Sequence, residues 1–199
     1  LELAKMSALT DRFVACFGRR PASFRAGRFS AGPNTIRCLK ELGYRVDTSV
    51  TQHISWADPT REQAVDYRRC PEQPYLVGEQ SLAHPDPAGN ILEVPVSVAS
   101  RRRLLGSRVI WLRPGISAWS DMEWLVRRYL RAYRARPGVV LNMMFHNVEV
   151  LPGLSRHVRT AAETDEYLRQ LERAFGLFRE VGLRSATLSE IHGIYVSQR

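Results

Sequence analysis

A chain of 199 residues is long enough for one sizeable core. Its apolar content of 44% and charged content of 25% are those of an ordinary globular protein, which excludes a disordered or fibrous chain, and no apolar run approaches a membrane span. The net charge is +9, but the arginines that carry nearly all of it are dispersed, and only Arg101-Arg102-Arg103 forms a run. Without an interleaved aromatic stacking motif, such charge reads as a solvated surface and not as a nucleic-acid interface.

In chain order, Leu1, Leu3, Ala4, Leu9, Phe13 and Phe17 predict an amphipathic helix over about 2–17, stopped by Gly18 and Pro21. A short strand follows at 22–26. Ser30 is placed to cap a helix over about 33–42, with Pro33 in its first turn and Gly43 as its stop. Tyr44 to Val50 reads as the next strand, and this β-α-β order predicts parallel pairing. Residues 51–90 carry Pro59, Pro71, Pro74, Pro85 and Pro87 and read as one long functional connection. Ile91 to Val98 is a strand. Val109-Ile110-Trp111-Leu112 fits either a strand or a buried turn. Ser120 with Glu123 predicts a capped helix over about 121–134, broken by Pro137-Gly138. Residues 139–145 read as a buried strand. Thr160 with Glu163 opens a helix over about 161–181 with Leu168, Leu171, Phe175 and Phe178 on its inner face, and a last short strand is expected near 184–187.

Cys16, Cys38 and Cys70 are odd in number and widely spaced, which argues against a disulfide framework or a zinc ribbon. Cys16 and Cys38 read as core residues and Cys70 as an exposed loop thiol. Strand–helix alternation points to an α/β barrel or open α/β sheet, whose working residues collect at the C-terminal ends of strands. Arg25, Asp47 and His146 meet that test. A cation, a carboxylate and an imidazole can orient a base, hold a charge and deliver a proton. The plainer readings are a salt-bridging Arg25, a turn at Asp47-Thr48-Ser49 and a structural His146. In the long connection, Tyr75 and Trp56 are candidates for substrate contact, as is Arg28.

Phe24-Arg25-Ala26-Gly27-Arg28-Phe29-Ser30, Leu42 to Val50, Ile91 to Ser97 and Phe145-His146-Asn147-Val148-Glu149 through Gly153 resemble, in order and spacing, the later motifs of the NodB-homology polysaccharide deacetylases. The resemblance covers about residues 20 to 190. It implies a distorted (β/α) barrel that removes N- or O-acetyl groups from a polysaccharide or amino sugar. It implies a divalent metal, zinc in most members, held by an Asp and two His, with a second Asp as general base. Arg25 then matches the arginine that orients the base, and His146 matches the acid that protonates the leaving group. Asp47 matches the supporting acid, with Trp56 and Asp58 as a rival pair.

Two departures stand out. Gly27 replaces a common Pro. The early Asp-Asp and paired-His motifs are absent, and no two of His53, His84, His146, His157 and His192 have ligand spacing. The chain, which starts at Leu1, is therefore expected to be the later two-thirds of a single deacetylase domain. Its metal ligands are expected upstream, and the piece is expected to lack hydrolytic activity on its own. Bacterial cytoplasm and cell envelope both fit as the compartment. A non-catalytic carbohydrate-binding relative is the rival reading, and a basic nucleic-acid-associated protein is the third. Oligomeric state is left open.

Overall fold

The computed structural model describes residues 1–57, 65–104, 106–134 and 138–198. They form a mixed α/β structure with five α-helices and two small sheets, neither of them closed. The chain divides into two compact units. Unit 1 is Leu1–Val96 with Ala186–Arg199, and unit 2 is Ser97–Ser185. No helix among the described residues is long and apolar enough to cross a membrane.

Unit 1 opens with α1 (Glu2–Phe17), ended by Gly18 in the left-handed conformation. Strand β1 (Ser23–Phe24) leads through a 3₁₀ turn at Gly27–Phe29 into α2 (Pro33–Glu41), and β2 (Val46–Asp47) follows. The cap of α2 is Gly32 and not Ser30. Thr35 Oγ1 accepts the Gly32 N–H, while the Ser30 hydroxyl donates to the Gly27 carbonyl and closes the preceding turn. Strands β3 (Tyr75–Val77) and β4 (Ile91–Glu93) complete a sheet of order β1-β2-β4-β3. The pairs β1–β2 and β2–β4 are parallel, and β3 runs antiparallel to β4. Strand β3 was not foreseen, because Tyr75 to Val77 lies inside a proline-rich stretch.

The core of unit 1 joins Ile36 and Leu39 of α2 to Tyr75, Val77 and Ile91 of the sheet. Each such aliphatic side chain contributes about 1.5–3 kcal/mol by leaving water. Cys38 belongs to this core, as expected. Cys16 is exposed, because α1 turns it to solvent, and Cys70 is buried. The expected segment near 184–187 is not a strand. It leads into a fifth helix, α5 (Leu188–Ser197), which is introduced by a Thr187–Glu190 capping box.

In unit 2, β5 (Val98–Arg103) and β6 (Gly106–Trp111) form an antiparallel pair, which settles the ambiguous 109–112 segment as mostly strand. Helix α3 (Trp119–Ala132) starts two residues earlier than its expected box. Its cap is Ala118, which places Ser120 inside the helix. Met122, Leu125, Val126 and Tyr129 face inward, and Tyr129 donates its hydroxyl to the Val98 carbonyl at 2.8 Å. Pro137 lies outside the described residues. Residues 139–145 are extended but form no regular strand. They are tied by Ser97 N–H to Asn142 O at 3.0 Å and Met144 N–H to Leu112 O at 3.2 Å. Helix α4 (Ala161–Glu180) has the predicted Thr160–Glu163 box. Its buried face is Thr164, Tyr167, Ala174 and Leu177, which leaves Leu168 and Phe175 exposed. The face is rotated because the Tyr167 hydroxyl reaches inward to Glu149.

Gly89 marks where the long connection turns back onto the sheet. A Cβ there would collide with the Val77 backbone carbonyl, which cannot swing aside as a side chain could. Gly89→Ala is expected to lower stability by about 1–3 kcal/mol, read as a drop in the urea midpoint. An unchanged midpoint would show that the approach is not tight.

Candidate functional site

Three charged residues stand at the C-terminal ends of three neighbouring parallel strands in unit 1. Arg25 directly follows β1, Asp47 ends β2 and Glu93 ends β4. The parallel register pairs Asp47 with Glu93. Both acids are fully buried.

Asp47 Oδ1 accepts the Ser49 hydroxyl at 2.7 Å, and Ser49 Oγ in turn accepts the Ala26 N–H at 2.9 Å. Glu93 Oε1 accepts the Val50 N–H at 3.0 Å. Asp47 Oδ2 and Glu93 Oε2 have no protein donor. Burial pushes the Asp47 carboxyl up, against the hydrogen bonds from Ser49 and from the Thr48 and Ser49 backbone. Burial pushes Glu93 well up, and the charge of Asp47 pushes it further.

Arg25 is exposed as a residue, but its guanidinium is held from within. Nε donates to the Thr48 carbonyl at 3.0 Å and Nη2 to Thr48 Oγ1 at 3.1 Å. The Thr48 hydroxyl itself donates to the Val94 carbonyl at 2.7 Å. Burial lowers the Arg25 pKa, and Glu93 and Asp47 counter it. A guanidinium remains protonated under such a shift. Asp47-Thr48-Ser49 is therefore a turn with local side-chain bonds and, at the same time, the wall on which Arg25 is mounted.

Arg28 and Phe29 adopt left-handed backbone at φ 54° and 58°. For a bulky residue this costs roughly 1–3 kcal/mol and needs external support. The Tyr67 hydroxyl supplies it, 2.7 Å from the Phe29 carbonyl and 2.8 Å from the Ala31 carbonyl. The Phe29 ring stacks on Trp56 with centroids 5.6 Å apart, and Trp56 Nε1 donates to Thr51 Oγ1 at 2.8 Å. Trp56 stays 39% exposed, so it can offer an aromatic face to a ligand. Arg28, the sequence neighbour of Phe29, is exposed. Asp58, the rival acid, lies outside the described residues.

Tyr75, expected to contact substrate, is instead packed in the core of unit 1. It is only 4% exposed, and its hydroxyl donates to the Leu82 carbonyl at 2.6 Å. A groove of about 720 Å³ runs past Phe24, Ala26, Gly27 and Lys5, but Arg25, Asp47 and Glu93 do not line it.

His146 belongs to unit 2. It is exposed, in a loop that also exposes Phe145, Leu151 and Leu154. Its backbone is fixed by Glu149: His146 N–H donates to Glu149 Oε2 at 2.9 Å, and Glu149 N–H donates to the His146 carbonyl at 3.0 Å. Glu149 is itself buried. It accepts Arg113 Nη2 at 2.7 Å and the Tyr167 hydroxyl at 3.2 Å. Burial raises the Glu149 pKa, but the bonds from His146, Arg113 and Tyr167 outweigh it and leave the pKa below the ordinary value. The structure thus joins Arg25 to Asp47 and adds Glu93, while His146 has its own frame in unit 2. Glu93 escaped sequence reading, although a lone acid in Ile91-Leu92-Glu93-Val94 is a visible signal.

No family model, curated protein or solved structure matches the chain. Among the described residues no three His, Cys, Asp or Glu side chains are grouped to hold a metal ion. The described residues therefore do not fit the metal that the resemblance implies.

Removing Glu149 would strand the Arg113 charge, which is 12% exposed. Glu149→Gln is expected to cost about 3–5 kcal/mol at neutral pH. The folded pKa lies below the unfolded one, so this stabilisation is present above the ordinary carboxylate range. It is lost as pH falls through the folded value. Urea unfolding of both proteins across a pH series should show the gap narrowing in acid, and a constant gap would refute the account.

Proposed function

We propose that the chain carries part of the site of a polysaccharide deacetylase, a hydrolase that frees acetate from an N- or O-acetylated sugar. The observation that supports this most is the placement of Arg25, Asp47 and Glu93 at the C-terminal ends of adjacent parallel strands, where α/β enzymes gather their working groups. The same parallel set supports reading the sheet of unit 1 as an arc of a distorted (β/α) barrel.

In this reading the chain's own residues supply placement and a proton. Arg25, fixed on Thr48 and near the Asp47 and Glu93 charges, is the cation that orients a general base. Asp47 is its supporting acid. Trp56 and Arg28 meet the sugar, the indole by stacking and the guanidinium by hydrogen bonding. His146 gives a proton to the amine or alkoxide as the acyl carbon–heteroatom bond breaks, and water provides the oxygen of the acetate. The metal proposed for the reaction, zinc or another divalent ion, would need ligands beyond the group described.

The rival is a carbohydrate-binding relative without catalysis, and two measurements on the purified chain test the carbohydrate site that both readings share. Calorimetric titration with an N-acetylated chito-oligosaccharide should give binding that weakens about tenfold, or about 1.4 kcal/mol, in Arg25→Ala and in Trp56→Ala. Acetate release by the chain alone should be undetectable. Chelator-sensitive release would overturn the expected inactivity and place a working metal site within this chain. Absence of binding to both acetylated and deacetylated oligosaccharides would remove the carbohydrate reading altogether.

A further inference from the structure

Asp47 and Glu93 are a buried pair with too few donors. They are register partners on adjacent parallel strands, and both are 0% exposed. Each has one oxygen bonded to a protein donor and one, Asp47 Oδ2 and Glu93 Oε2, without any. Two ionised carboxylates here would carry the desolvation cost of both charges and their mutual repulsion. A single proton on the pair removes one charge and lets one carboxyl donate to the other. It also leaves one negative charge against one guanidinium.

We propose that Asp47 and Glu93 hold one proton between them, resident on Glu93, and that Glu93 is a positioning residue that presents Asp47 as a single anion towards Arg25. The local surroundings place the proton. Asp47 accepts the Ser49 hydroxyl, and the Thr48 and Ser49 backbone beside it further favours its anion, whereas Glu93 accepts the Val50 N–H alone. Burial and the Asp47 charge push Glu93 towards its neutral form in the same sense.

The other titratable groups around the pair are committed elsewhere. From the long connection, Tyr67 turns its hydroxyl to the Phe29 and Ala31 carbonyls, and Cys70 turns its thiol to the Leu82 carbonyl. From β3, Tyr75 does the same towards Leu82. Burial raises the pKa of all three, that of Cys70 to about 12, so none adds a charge at neutral pH. Helix α2 contributes the buried thiol of Cys38, also raised by burial, and α5 contributes His192, whose pKa is lowered by burial and by Arg45. Arg25 is the cation on the β1 side.

The protonation state stands without the deacetylase reading, and the positioning role rests on it. Side-chain carboxyl NMR on protein labelled separately at Glu and at Asp tests the first. One Glu carboxyl should be neutral at neutral pH and titrate only above the ordinary range, and it should vanish in Glu93→Gln, with Asp47 ionised at neutral pH in the wild type. Asp47→Asn should lower the Glu93 titration by at least about one pH unit, the equivalent of removing a moderate charge coupling. Both carboxyls ionised at neutral pH, both neutral, or a Glu93 titration unmoved by Asp47→Asn would overturn the pair. The wild-type spectrum alone decides if a variant fails to fold. For the positioning role, Glu93→Gln should bind the acetylated oligosaccharide within about twofold of wild type. Glu93→Ala should lose about tenfold, because only the amide can replace the neutral carboxyl as a donor to Asp47. Equal loss in both variants would refute the role. If the spectra behave as expected while wild type binds no oligosaccharide, the proton pair stands and the functional reading falls.

Discussion

The register of the parallel strands is the constraint on which unit 1 depends. Ser23 lies opposite Val46 and Val46 opposite Leu92, so Phe24, Asp47, Glu93 and Tyr75 fall into one row across the whole sheet. Side chains alternate between faces with a period of two, so a slip by one residue would send Asp47 to the other face and separate it from Glu93. Val46, Leu92 and Ile91, all at most 1% exposed, hold the register against that slip. The acids do not stabilise the sheet. The apolar residues beside them fix the sheet, and the sheet forces two carboxyls together.

The loops that follow the strands then act as lattice and not as filler. The segment 48–50 gives Thr48 to Arg25, Ser49 to Asp47 and the Val50 N–H to Glu93, one residue for each charged group. The 26–31 turn is coupled to it through the Ala26 N–H on Ser49 Oγ. Its strained Phe29 backbone is held by Tyr67 and its ring by Trp56. Strain there is coupled to the aromatic surface: relaxing φ at Phe29 would unstack the pair that exposes the indole.

Comparison with Glu149 shows that burial alone does not decide what a carboxyl does. Glu149 is covered from solvent like Glu93 but lies less deep, and its pKa moves down while that of Glu93 moves up. The difference is the donor supply. Glu149 receives a guanidinium, a phenol and a backbone N–H over its two oxygens. Glu93 receives one N–H on one oxygen, none on the other, and has an acid as its register partner. The first carboxylate is a structural anion that fixes the backbone of His146. The second is an acid kept neutral by its surroundings, the state in which a carboxyl can donate a hydrogen bond.

That distinction also explains what was legible in the sequence. Helices α1, α2 and α4 were readable because their signals are local: apolar period, Gly18 and Gly43 as stops, and the Thr160–Glu163 box. The same local logic failed at Ser120, where the helix runs back to Ala118, and it was available but unused at Thr187–Glu190, which opens α5. Strand β3 was hidden by prolines on either side of three apolar residues whose pairing is decided by β4. Arg25 and Asp47 were found because each follows an apolar strand. Glu93 was not, because its meaning lies in a partner 46 positions earlier that only the register brings opposite it. A solitary acid inside an apolar run has two physical outcomes: a donor-rich pocket that ionises it or a second acid that shares its proton. The sequence marks the residue, and the number of donors the fold brings to it decides between them.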